Sequence, residues 1–131
     1  VNVPVRIAAL VAALALAVTA PAAPLFAHVK LAASTPAAGS AAKAPRAITL
    51  TFSEKVNPAR AAASIVMTAM PGMANHGEMP IRNFTPAWSA DGKTLTLTLK
   101  KPLPTGSYEV RWQATGADGH AVSGKLAFEV G

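Results

Sequence analysis

All four methionines of the chain fall between Met67 and Met79, with His76 among them. The segment reads Met67-Thr-Ala-Met70-Pro-Gly-Met73-Ala-Asn-His76-Gly-Glu-Met79. Methionines that only fill gaps in a core would be scattered along a sequence. Here the thioethers gather beside one imidazole in a chain that has no cysteine. That is a soft donor set, and the first-row ion that selects thioethers is Cu(I). Pro71 argues against a helical stripe through Met67, Met70 and Met73, because proline removes a helix hydrogen bond and clashes with the preceding turn. Pro71-Gly72 instead fits the centre of a type II turn, with positive φ at Gly72 and the flanking Met70 and Met73 Cα atoms within about 7 Å. His76 and Met79 can then close a cup of three or four donors. Met67 ends a candidate strand and is as readily a core residue as a ligand. The competing reading of the loop is an exposed methionine patch, open to oxidation or to protein contact.

The other two histidines are His28 and His120. Asp118-Gly-His120 places a carboxylate and an imidazole two residues apart, and in extended chain such residues point the same way. On its own the pair reads as a loop. It gains weight if His28 is the first residue of the processed chain, because a terminal histidine offers its α-amine and its ring nitrogen together. His28, His120 and Asp118 would then supply three nitrogens and one oxygen, the donor set of tetragonal Cu(II). This arrangement asks that the first and last strands lie side by side.

Residues 1–27 have the pattern of a secretory leader: Arg6, then an apolar run from Ile7 to Ala20, then small residues before a cut. Pro21 and Pro24 break the extension of that run to Ala27 and argue against an uncleaved membrane anchor. A cut after Ala27 exposes His28, whereas a cut after Ala22 leaves it internal. Residues 28–131 form one domain, long enough for a single core. The formal net charge of the whole chain is +6, and apart from Arg6 the basic residues are spread from Lys30 to Lys125 rather than in a run. A dispersed basic surface with few aromatics excludes a nucleic-acid interface as the favoured reading. Without cysteine there are no disulfides, thiolate sites or thiol nucleophiles.

The elements that must hold these residues are strands. Ala47–Phe52, Thr94–Leu99, Ser107–Ala114 and Val122–Val130 alternate apolar and polar residues with period two. Ser64–Met67 and Val29–Leu31 are shorter candidates. Asn57-Pro58, Asp91-Gly92 and Pro104-Thr105-Gly106 separate them with turn chemistry. About seven strands and no helical pattern predict an all-β fold, a small Greek-key sandwich or barrel of the immunoglobulin or cupredoxin kind.

Taken together, several segments resemble the CopC family of periplasmic copper-binding proteins over essentially all of residues 28–131. They are His28-Val-Lys-Leu-Ala-Ala-Ser34-Thr35-Pro36, Phe52-Ser53-Glu54, Val66-Met-Thr-Ala-Met-Pro-Gly-Met73, Tyr108-Glu-Val-Arg-Trp112, and Asp118-Gly-His120 followed by Gly124. The resemblance implies a β-barrel or sandwich that carries copper outside the cytoplasm. It implies a Cu(II) site at His28, Asp118 and His120, with Glu54 nearby as a weak ligand or hydrogen-bond acceptor. It also implies a Cu(I) site at Met67, Met70, Met73 and Met79 with His76, the last being the donor whose spacing matches least firmly.

The expectation is therefore a periplasmic copper carrier or buffer, not an enzyme, expected as a monomer. It would exchange copper ions with a periplasmic or membrane partner and bind no nucleic acid. Two other readings compete. A terminal histidine with a second histidine also forms the copper brace of oxidative polysaccharide-cleaving enzymes, but those need an aromatic platform, and Tyr108 and Trp112 fall on a core face. A metal-free structural sandwich explains the strands and leaves the methionine cluster unexplained.

Overall fold

The computed structural model describes residues 28–73 and 77–131. The leader 1–27 and His76 lie outside the described residues.

Among the described residues, nine strands form two sheets. They are β1 (Leu31–Thr35), β2 (Ala41–Ala42), β3 (Ala47–Phe52), β4 (Ala62–Ala69), β5 (Met79–Ile81), β6 (Phe84–Trp88), β7 (Thr94–Leu99), β8 (Gly106–Thr115) and β9 (Ala121–Val130). One sheet has the order β1-β3-β7-β6 and the other β2-β9-β8-β4-β5. A single turn of 3₁₀ helix, Pro58–Arg60, precedes β4 and is capped by the Asn57 side chain. The fold is the expected β-sandwich.

Period-two alternation sends one set of side chains from each sheet into a common core. Ile48, Leu50 and Phe52 of β3 and Leu95, Leu97 and Leu99 of β7 are buried on one side. Ile65 and Met67 of β4, Tyr108, Val110 and Trp112 of β8, and Leu126, Phe128 and Val130 of β9 are buried on the other. Phe52 meets Trp112 edge to face across the sandwich, with ring centroids 5.2 Å apart, a favoured aromatic geometry. Tyr108 stacks on Phe128 and donates its hydroxyl proton to Pro104 O at 2.6 Å. That bond pins the turn entering β8 in the manner of a tyrosine corner, and burial pushes the phenol up to about 12.

Gly124 is needed because a Cβ there would sit 2.5 Å from Trp112 Cζ2. The indole lies over the bare backbone of β9, which pairs Trp112 with Gly124 in register.

The expected adjacency of first and last strands is not what the fold uses. β1 pairs with β3 in one sheet, and β9 pairs with β8 and β2 in the other. Any meeting of His28 with the residues before β9 must therefore bridge the two sheets at one end of the sandwich.

Candidate metal centre

That bridge is built from the segment preceding β1. The backbone of Lys30 makes two bonds to Ser53: its N–H donates to Ser53 Oγ at 2.9 Å, and its carbonyl accepts from Ser53 N at 2.8 Å. Ser53 thus extends the β1–β3 pairing past the end of β3. Val29 is 1% exposed, and its Cβ lies 3.6 Å from where a Cβ on Gly116 would be. Val29 is a plug between the sheets, so the neighbouring His28 is delivered to the β8–β9 loop.

The loop from Gly116 to His120 supplies the other two groups. Gly119 N–H donates to Gly116 O at 3.0 Å, and Gly119 has φ of 79°, a conformation glycine adopts without steric cost. Asp118 Oδ1 accepts the His120 N–H at 3.0 Å. This is the side-chain turn that aspartate commonly makes two residues on. Asp118 and His120 converge through this turn, not through the extended backbone that their spacing alone suggests.

The second carboxylate oxygen faces both imidazoles. Asp118 Oδ2 is 3.0 Å from His28 Nδ1 and 3.4 Å from His120 Nδ1. The two rings lie 5.2 Å apart between centroids and are tilted by 58°. One ligand atom from each of His28, Asp118 and His120 falls within 4.8 Å of the others. The Asp118 side chain is only 6% exposed, while those of His28 and His120 are 64% and 70% exposed. The backbone N–H of His120 is the main influence holding the Asp118 carboxyl below the usual carboxylate range. Hydrogen bonds and charge from the His120 ring and a hydrogen bond from His28 add to it, against the opposing effect of desolvation. The result is an ionised carboxylate fixed at the base of two solvent-facing imidazoles. Glu54 is exposed and stands outside this group.

The same loop lines an open groove of ≈ 430 Å³ with Lys55, Asn57 and Arg60. None of the three convergent side chains forms its wall, so the chemistry sits on a rim beside the groove.

The methionines lie elsewhere. Met73 N–H donates to Met70 O at 3.1 Å, and Gly72 has φ of 79°, so Met70-Pro-Gly-Met73 closes as the expected turn. Met70 is half-buried against the core, while Met73 and Met79 are 51% and 45% exposed. Met67 is 3% exposed within the core and pairs with Met79 across β4 and β5. It therefore takes the core place that its position in a strand allows. Ala69, the last residue of β4, pairs with Ser107 near the start of β8, whereas the Asp118 loop follows the end of β8. The two donor groups thus lie at opposite ends of one strand, roughly 25–30 Å apart by its rise per residue.

Ser53, Val29 and Gly116 carry no chemistry that sequence reasoning could weigh, yet they deliver His28. Phe52-Ser53-Glu54 was legible as a motif, but its working member here is the serine.

Comparisons with known proteins place the chain in a family. A family model described as the CopC domain matches residues 31–131. The chain is 43% identical to a copper resistance protein C of Xanthomonas campestris pv. juglandis, over 80% of this chain and 81% of that one. It is 42% identical to the protein of the same name from Pseudomonas syringae pv. tomato, over 79% and 81%. Among solved structures it is similar to PcoC, a methionine-rich copper resistance protein from Escherichia coli. That likeness has a TM-score of 0.72 and 37% identity, covering 80% of this chain and all of the other.

Proposed function

The chain belongs to the CopC family, and on that premise we propose that it is a periplasmic copper-binding protein. It carries or buffers the ion at two chemically different sites. The observation that carries the reading is the convergence of His28, Asp118 and His120, drawn from two sheets onto one rim. Imidazole nitrogens and a carboxylate oxygen suit Cu(II). Removal of the leader after Ala27 adds the His28 α-amine to this set. Glu54, exposed and outside the three convergent groups, would serve at most as a weak ligand or hydrogen-bond acceptor.

Cu(I) belongs to the methionine loop. Met70, Met73 and Met79 present thioethers at or near the surface, and His76 completes the set. Met67 supports them from the core. The relatives named for copper resistance, one of them also for its methionines, support this assignment. Copper is here the cargo, taken from and passed to a partner in the same compartment, and its oxidation state selects the end of the molecule it occupies.

Native mass spectrometry of the exported protein tests the reading. The expected mass starts at His28, with one Cu(II) bound and copper retained after reduction. A chain that starts at Ala23, or one that takes up no Cu(II), would remove the amine chelate and with it the two-site carrier.

A further inference from the structure

The methionine loop leaves β4 at Ala69 and returns as β5, an edge strand of only three residues, Met79–Ile81. Its middle residue is Pro80, which has no N–H to give to the ladder. The pairing with β4 runs over three register positions, Ile65 with Ile81, Val66 with Pro80 and Met67 with Met79. So short and proline-interrupted a ladder is a poor anchor for the returning leg of a loop.

A side-chain clamp lies across it. Arg111 of β8 points outward and donates to Glu78 with both terminal nitrogens, Nη1 to Oε1 at 3.2 Å and Nη2 to Oε2. Its Nε donates to Glu109 Oε1 at 2.7 Å. β4 lies between β8 and β5, so the arm of Arg111 passes over β4 on the outer face of the sheet. Val66 of β4 points to that face, being offset by one from the core residues Ile65 and Met67. It is nonetheless 6% exposed, as a residue under a bridge would be. A lone exposed ion pair adds little. This one is a two-pronged fork, and a second carboxylate fixes the guanidinium from behind.

We propose that Arg111 is a positioning residue for the methionine loop, and that its fork on Glu78 sets the returning leg so that Met79 is in place before Cu(I) arrives. The proposal rests on the assignment of that loop to Cu(I). With one foot closed by the Met70–Met73 turn and the other held at Glu78, the thioethers of Met70, Met73 and Met79 start from set positions. Less conformational freedom is then lost when the thioethers gather round the ion.

The decisive variant is Arg111→Gln, which removes the charge and the fork without adding a sulfur donor, because charge and positioning predict opposite signs. Removing a cation beside the loop would by charge alone tighten the binding of Cu(I). If Arg111 positions the loop, Cu(I) binds about three- to tenfold more weakly, measured by competition with a chromophoric Cu(I) chelator. Cu(II) binding at the far end stays as in the wild type and serves as the check of folding. Amide exchange over residues 77–81 speeds up in the same variant. Glu78→Gln keeps the side-chain size and removes the fork, and it gives the same exchange signature if Arg111→Gln folds poorly. The double variant is no worse than Arg111→Gln alone, because both changes cut one connection. Equal or tighter Cu(I) binding by Arg111→Gln, or unchanged exchange over 77–81 in both variants, overturns the positioning role while leaving the loop as a Cu(I) site. A wild-type protein that takes up no Cu(I) overturns both.

Discussion

Asp118 divides its two oxygens between structure and chemistry. Oδ1 takes the His120 N–H and shapes the turn, and Oδ2 faces the two imidazoles. Asp118→Asn keeps an oxygen for the first task and loses the charge for the second. We expect the turn and the fold to survive and Cu(II) affinity to fall by at least about tenfold, measured by competition titration. The pH profile separates the roles further. Asp118 is depressed in the folded protein, chiefly by the His120 N–H. Its contribution to stability is therefore present above the unfolded carboxylate value of about 3.9 and is lost only as pH falls through the lower folded one. Nitrogen donors must shed their protons before they bind, and free imidazoles and α-amines do so near about 6.5 and 7.7–8.0. Wild type should thus lose Cu(II) steeply between neutral and mildly acidic pH, with Asp118 still ionised throughout. Asp118→Asn should bind Cu(II) more weakly across this whole range. Unchanged Cu(II) affinity in Asp118→Asn at neutral pH would remove the carboxylate from the donor set.

At the scale of elements, the strands legible in the sequence are those with an unbroken period of two. β3, β7, β8 and β9 place Ile48, Leu97, Val110 and Phe128 in the core as their alternation requires. β2 is two alanines paired in parallel with the end of β9, and two alanines carry no pattern. β5 and β6 contain Pro80 and Pro86. Both are edge strands, where proline is tolerated in a sheet, but in a bare sequence the same prolines read as loop. The candidate metal rim was legible in its parts and not in its assembly. Asp118 and His120 are close in sequence, whereas His28 reaches them only because Val29 is buried between sheets and Ser53 holds Lys30. Such packing across sheets leaves no periodic signal.

The methionine element shows the same limit, since a strand end allowed Met67 either role. Its place in the core makes the roles separable. Met67→Leu is nearly volume-conserving and should cost less than about 1.5 kcal/mol of stability while leaving Cu(I) affinity intact. Met73→Leu and Met79→Leu, at exposed positions, should leave the denaturation midpoint within about 0.5 kcal/mol of wild type and weaken Cu(I). Loss of Cu(I) in Met67→Leu equal to that in Met73→Leu would make the buried thioether a ligand.

For the whole molecule, the strand that joins the two donor groups also separates them. β8 has its start beside the methionine turn and its end at the Asp118 loop, a span of roughly 25–30 Å. No side chain reaches across that distance, and the core between them is apolar. If, as proposed, reduction shifts the ion's preference to the methionine loop, the described residues offer it no donor-to-donor route through the sandwich, and it is expected to leave one molecule to reach the other site. Two variants test this. One keeps the rim and carries leucine at Met70, Met73 and Met79, and the other keeps the methionine loop and carries alanine at His28 and His120. The first is loaded with Cu(II), mixed with the second at equal site concentration, and reduced. Copper should appear on the methionine loop of the second chain as fast as it does in wild type under the same conditions. A wild-type rate well above that of the mixture would reveal a path within the chain that the sandwich does not display.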